Sequence, residues 1–262
     1  MTNLKNVEEL GLSSDNKIYI KNDSNDFYLI TKSVSVVVLD NVSVKFIDKS
    51  NNANINITGK DYSNIKYIII ESQNTKRFFD IKGTLNIDEI NIKDTNESLN
   101  VELNLENASV NVKNLTINKA ISSKYYQHVI HNKPKTFSDI KNVAVALEGG
   151  NINYETVGKI NKGMNNSNCK QISRGVVMDN SSTVESKPIL LIDEYDCFAN
   201  HGAAIGKVND EDLFYLMSRG LNKTDAFLLI LAGIINPFID SLEYEEYRDE
   251  LNNKINNLIE GR

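Results

Sequence analysis

Tryptophan is missing from the sequence, and cysteine nearly so: Cys169 and Cys197 are the only two in 262 residues. Two thiols in a chain of this length make no disulfide framework, and the simplest reading is a pair of reduced side chains. Proline occurs three times, and no Asn-Gly or Asp-Gly pair occurs at all. The usual signal of two-residue hairpin turns is therefore absent, which counts against an antiparallel sandwich. No run of five basic residues interrupts a net charge of −6, so no nucleic-acid partner is expected. The longest apolar run, residues 226–235, is half the roughly 20 residues that a bilayer-spanning helix needs. Residues 1–11 contain no apolar signal-peptide core, so the expected location is the cytoplasm, with no membrane partner. The phosphate-binding and nucleophile motifs GxxxxGKS/T, GxGxxG and GxSxG are absent, as is the zinc motif HExxH.

What is present is alternation. Between about residues 17 and 192 the apolar positions recur every second residue. The clearest stretch is 84–118, with Leu85/Ile87, Leu99/Val101/Leu103, Val110/Val112 and Leu115/Ile117. Such runs mark strands with one buried face. The runs KIYI, FYLI, KYIII, NVAVAL, NINY and PILLID fit the same scheme. Many short strands with polar corners suit a β-solenoid whose coils stack on a shared core, although no repeat of fixed length is visible. Asparagine, with 38 copies, suits left-handed corners.

The pattern changes near residue 201. Asn209 or Asp210 can cap a first helix with Leu213, Leu216 and Met217 as its stripe, and Gly220 suits its C-terminal end. A second helix is expected over 224–235, apolar nearly all round and hence buried, and ended by Pro237. A third starts near Ser241, with Tyr244, Tyr247, Leu251, Ile255 and Leu258 on one face. Residues 1–12 are expected to form a short helix on Leu4, Val7, Leu10 and Leu12. The division is thus a short N-terminal segment (1–16), a β core (17–200) and a helical domain (201–262). A solenoid ends in an open edge that must be covered or paired, so the helical tail is read as a cap or a docking module. The last four residues, Ile259–Arg262, match a common protease-site tag.

Few residues carry chemistry. His128 and His131 are three apart, and on a strand they face opposite sides. The flanking Tyr125, Tyr126, Val129 and Ile130 favour a strand and a structural role. Cys197 and His201 are four apart. On an unbroken strand they share a face about 13 Å apart, too far for one metal ion unless a bend at Asn200–Gly202 shortens the span. Cys169 sits in a polar stretch that reads as an exposed loop, with only Lys170 to lower its pKa. Asp193, Glu194 and Asp196 are either a solvated acidic turn or the acid and base of a polysaccharide-acting β-helix.

Residues 188–221, PILLIDEYDCFANHGAAIGKVNDEDLFYLMSRGL, resemble the C-terminal signature of the SufB/SufD family of iron–sulfur cluster assembly proteins. The matching parts are the strand Pro188–Ile192, the HGAxxG turn His201–Gly206, the acidic cap Asp210–Asp212, Leu213–Leu216 and Ser218–Gly220. His131, Thr136, Ser138, Gly158–Ile160, Gln171 and Asp225-Ala226 fit less specifically.

The resemblance implies a right-handed parallel β-helix with a C-terminal α-helical domain, acting as a scaffold subunit without turnover of its own. It implies docking of a SufC-type ABC ATPase on the helices, with Leu213, Tyr215, Leu216 and Arg219 as candidates. It implies pairing of the β-helix with a SufB-like subunit or with itself. A transient cluster would form at that interface, with none tightly bound in the isolated chain, and His201 and Cys197 are its candidate ligands.

His201 equally suits a plain hydrogen-bonding role at a turn. Gln171-Ile172-Ser173 lacks the cysteine of the SufB glutamine–cysteine–aspartate motif, which makes the chain more like SufD. Where SufD often has cysteine two residues before the histidine, Ala199 stands here. The family's long N-terminal extension is not seen.

Overall fold

The computed structural model describes residues 3–260, so the protease-site match at Ile259–Arg262 runs outside the described residues. Among them, nine strands form one parallel sheet: Leu4–Asn6 (β1), Phe27–Ile30 (β3), Ser43–Asp48 (β5), Asn64–Ile70 (β7), Thr84–Asn91 (β9), Ser109–Lys119 (β11), Phe137–Leu147 (β13), Ser167–Val177 (β15) and Cys197–Lys207 (β17). Eight form a second: Ile18–Ile20 (β2), Val34–Val38 (β4), Asn54–Gly59 (β6), Lys76–Ile81 (β8), Thr95–Leu103 (β10), Ser122–His131 (β12), Asn151–Ile160 (β14) and Thr183–Ile192 (β16). The chain alternates between the two sheets, and each strand stacks on the one two places earlier. This is a parallel β-helix.

The coils grow along the axis, which explains why no fixed repeat is visible. Ile18 pairs with Val36, 18 residues on. Lys76 pairs with Ser98, 22 on. Thr95 pairs with Ser123, 28 on, and Asn151 with Thr183, 32 on. The corners are as the asparagine content implies: of eleven non-glycine residues at positive φ among those described, Asn16, Asn41, Asn52, Asn74, Asn107 and Asn166 are asparagine.

Three helices follow: Asp210–Ser218 (α1), Lys223–Asp240 (α2) and Glu245–Glu260 (α3). Asn209 caps α1, its side chain accepting from the Glu211 N–H, and Gly220 at φ 99° ends it. The helices do not cap the open end of the coil. Leu231, Ile235 and Ile239 of α2, Leu242 and Tyr244, and Leu251 and Ile255 of α3 pack on the outer face of the nine-stranded sheet. There they meet Phe27, Ile47, Ile68, Ile70, Ile90, Leu115, Ile117, Val145 and Leu147. Both faces of that sheet are therefore buried. Polar contacts fix the register: Lys254 meets Glu71 at 2.9 Å, Lys45 meets Glu243 at 2.8 Å, and the Lys49 ammonium lies 3.6 Å from the Tyr247 ring centroid.

Several expectations are corrected. Residues 4–10 form a strand and one 3-10 turn, Val7–Leu10, because only Val7 finds a buried site while Leu4, Leu10 and Leu12 stay exposed. Pro237 lies inside α2. The ring costs about 3 kcal/mol in a helix interior, but Ile239 and Leu242 beyond it are buried, each contributing roughly 1.5–3 kcal/mol. Burial of α2 is one-sided, and Leu229 is 53% exposed. The third helix begins at Glu245, not Ser241. Strand β17 continues through the 200/201 boundary to Lys207. No helix among the described residues is long and apolar enough to cross a membrane.

Candidate functional site

The last coil presents two free strand edges. β16 and β17 each pair on one side only, with β14 and β15, and leave their outer N–H and C=O groups unpaired by this chain. Alternation decides what β17 shows. In β15, Ser167, Cys169 and Gln171 face the interior and are buried. Their register partners in β17 are Cys197, Ala199 and His201. These three continue the interior face into the last coil, where nothing is stacked upon them. His201 is exposed and Cys197 half-buried for that reason.

His201 lies in mid-strand, so the expected bend at Asn200–Gly202 is not formed. Cys197 and His201 share a face at i and i+4, about 13 Å apart along the strand. Among the described residues no three His, Cys, Asp or Glu side chains are grouped to hold a metal ion.

The Cys197 thiol donates to the Glu194 carbonyl at 3.3 Å. Burial, then the negative charges of Glu194 and Asp196, push its pKa up. Cys169 is fully buried within β15, not in an exposed loop, and burial raises its pKa as well. Gly158 makes room for it, since a Cβ there would stand 2.3 Å from the Cys169 sulfur.

The acidic turn is structural in form. Glu194 accepts the N–H groups of Asp196 and Tyr195, both at 2.9 Å, and of Gly163 at 2.7 Å, and these bonds lower its pKa. A carboxylate held in that way stabilises a turn and is a poor general acid. His128 and His131 face opposite sides of β12, as the spacing requires. His131 is buried, with Nδ1 2.8 Å from Thr136 Oγ1 and Nε2 2.9 Å from Ser138 Oγ.

Helix α1 is the second candidate surface. None of its residues is buried. Leu213 and Leu216 are half-buried, and a groove of about 500 Å³ lined by Val177, Val208, Leu213, Phe227 and Leu228 runs beneath it. Tyr215 is 57% exposed with the Arg219 guanidinium 5.3 Å from its ring centroid. The sequence reading missed Phe214, the most exposed of this group at 75%, and placed Met217 on the inner stripe although it is 44% exposed. An apolar residue on nearly every side of a nine-residue helix was the available signal, since one helix face cannot bury them all.

The family model described as "SUF system FeS cluster assembly, SufBD core domain" matches residues 18–234, from β2 into α2. An iron–sulfur cluster assembly SufBD family protein of Mycobacterium tuberculosis is 34% identical over 133 residues, covering 51% of this chain and 16% of that protein. The iron–sulfur cluster assembly protein SufD of Bacillus subtilis is 37% identical over 98 residues, or 37% of this chain and 22% of that protein. SufB of the same organism is 32% identical over 133 residues, or 51% and 28%. The matched part is thus less than a third of each relative's length, and the likeness to SufB and to SufD is of similar strength.

Proposed function

The chain belongs to the SufBD core family of the SUF iron–sulfur cluster assembly system, and from that premise we propose that it is a scaffold subunit that pairs through its open last coil and docks a SufC-type ATPase through its helices. The observation that carries this reading is the pair of uncovered edges at β16 and β17, with the interior-facing row of Cys197, Ala199 and His201 left unstacked. A second β-helix of the same kind would complete both the hydrogen bonding and the stacking. It would also supply the ligands that this chain alone does not bring together, with a nascent cluster as cargo and His201 as this chain's contribution. Neutral imidazole binds iron. The raised pKa of Cys197 makes it the weaker ligand.

The ATPase contact is assigned to α1. Exposed Phe214, Tyr215 and Met217 would otherwise have no reason to face water, and the Arg219–Tyr215 pair pre-orders the rim. ATP-driven closure of two SufC subunits would then pull on two helical domains and strain the β-helix pair between them.

The subunit is read as SufD-like because Gln171-Ile172-Ser173 stands, without a cysteine, where SufB carries its glutamine–cysteine–aspartate motif. The similar likeness to SufB and SufD supports a second reading, a homodimer that serves both roles. Anaerobic co-expression with SufC and SufB tests both, with native mass spectrometry for stoichiometry and iron analysis for cargo. His201→Ala is expected to lower retained iron with the complex intact, and Cys197→Ala to do so less. Tyr215→Asp with Phe214→Asp is expected to release SufC. Unchanged iron in both site variants would overturn the ligand assignment, and retained SufC would overturn the docking assignment.

A further inference from the structure

The step from narrow to wide coils falls between β8–β10 and β10–β12. Lys76 to Ser98 is 22 residues, while Thr95 to Ser123 is 28. Polar atoms gather at this step. Arg77, 2% exposed, donates to Asp48 at 2.7 Å, Glu97 at 2.5 Å and Ser72 at 2.5 Å. Tyr67 donates to Asp48 at 2.8 Å, and Thr95 donates to Glu97 at 3.2 Å. Glu89, buried on β9, faces Glu97 and the same guanidinium. One arginine therefore meets three carboxyls in a sealed interior, and two carboxylates already take its hydrogen bonds.

Three buried polar atoms at this step have no partner: Glu89 Oε1, Asn114 Nδ2 and the Tyr125 hydroxyl. They belong to one place. Glu89 and Asn114 are register partners between β9 and β11, and Glu97 and Tyr125 between β10 and β12. Asn114 Oδ1 is already occupied, accepting from Tyr154 at 2.5 Å and Thr116 at 2.9 Å, which fixes its amide nitrogen as the donor left over. Three unpaired atoms, a donor, an acceptor and a hydroxyl, are the complement of one water molecule. A cation suits the site less well, because the Asn114 N–H₂ group would oppose it.

We propose that the coil step encloses a sealed hydration site. A water molecule there accepts from Asn114 Nδ2, donates to Glu89 Oε1 and bonds the Tyr125 hydroxyl, while Glu89 is the neutral acid and donates its proton to Glu97. Burial first, and then the Glu97 charge, hold the Glu89 carboxyl above the usual carboxylate range against the opposing pull of Arg77 and Asn114. The titratable groups facing it are Glu97, Arg77, Tyr125 and Tyr154, and only Arg77 is positive. The site is independent of the assembly role above. It makes the junction a point where the interior carries an exchangeable proton.

Infrared spectra and a high-resolution crystal structure of the full chain test it. The expected results at neutral pH are a protonated-carboxyl band in wild type that vanishes in Glu89→Gln, and one ordered water within hydrogen-bond distance of all three atoms. In Tyr125→Phe, which removes only the hydroxyl, the band persists and the water loses one partner. The thermal midpoint of wild type falls as pH rises through the folded pKa of Glu89, because the folded state holds a proton that the unfolded chain releases. In Glu89→Gln that fall is absent. A dry chamber, a cation at the water position, or no carboxyl band in wild type overturns the proposal. If Glu89→Gln does not fold, the wild-type band and the Tyr125→Phe structure still decide it.

Discussion

In the coils as far as β8, the axis of the β-helix is filled by a line of rings. Tyr28, Phe46, Tyr67 and Phe79 follow one another with centroids 6.2, 5.9 and 5.1 Å apart. From β12 onward hydrogen-bonded side chains share the same axis with the stacked rings of Tyr125 and Tyr154, whose centroids lie 5.0 Å apart. Gln127 and Asn142 exchange two bonds at 3.0 and 2.8 Å, and Thr156 donates to Gln127 at 3.1 Å. His131 joins Thr136 and Ser138 one step away. The difference follows from coil length. Enclosed area grows faster than perimeter, while side-chain reach stays constant. A narrow coil closes on one or two of these rings, and a wide one needs side chains that reach each other and satisfy their polar ends. The narrow coils carry the line of rings, and the wide coils, with the Gln127–Asn142–Thr156 group inside them, lead to the open end at β16 and β17.

The sharpest test of that contrast lies at the boundary. Arg77→Leu removes the one positive charge from the interior and leaves Asp48 and Glu97 buried without it. Breaking a buried ion pair from one side costs about 3–5 kcal/mol, read as a lowered denaturant midpoint. A loss below about 1 kcal/mol would mean that the network does not hold the two kinds of coil together.

The second test is pH. Burial lowers the pKa of His131 from 6.5 to about 4. The unfolded chain therefore takes up a proton that the folded chain refuses, and stability falls as pH drops from about 6.5 to about 4. The full effect is about 3 kcal/mol. His131→Asn should remove this dependence when urea midpoints are compared across that range. The Glu89 contribution runs the other way with pH but is common to both proteins, so the difference between the two curves isolates His131. Parallel curves would mean that the imidazole is hydrated or charged in the fold.

How much of this was legible in the sequence depends on which force wrote it. Alternation at Leu99, Val101 and Leu103 gave the strands, because a one-faced strand writes its burial every second residue. Asparagine gave the corners. No fixed repeat shows because the coils lengthen overall, from 18 residues between Ile18 and Val36 to 32 between Asn151 and Thr183. Of the two readings of the helical tail, cap or docking module, the cap is overturned, and Ile68, Ile69 and Ile70 in succession already signal a strand buried on both faces. Pro237 stopped the expected helix because local propensity cannot see the burial of Ile239 and Leu242 beyond it. At the candidate site, His201 and Cys197 were singled out by the family resemblance and not by their spacing. Their place on the unstacked interior face of β17 follows from register with β15, which no local pattern contains.

A third test compares polar and apolar filling directly. Asn142→Ala leaves both ends of the Gln127 amide short of a partner. The cost is about 1–3 kcal/mol, read in the same denaturant assay. Removal of the whole group by Gln127→Leu, Asn142→Leu and Thr156→Val is expected to cost less than the single change, since no buried polar partner is then orphaned. Equal costs would show that shape, not hydrogen bonding, fills the wide coils.

The smallest effect concerns what the two regions share. Tyr62, in the narrow coils, and Ala120, at the wide end, both sit at corners with φ near 57° and 56° and are exposed. A left-handed conformation costs an ordinary residue about 1–2 kcal/mol, and glycine escapes that cost while giving up about 0.5–1 kcal/mol of chain entropy. Tyr62→Gly and Ala120→Gly should each raise stability by up to about 1 kcal/mol, and by similar amounts, measured as thermal midpoints. Equal gains would mean that a corner is set by backbone geometry alone, whichever interior lies behind it. A gain confined to Ala120 would mean that the tightly filled narrow coils already dictate their corners, and that the division between the two regions reaches the surface.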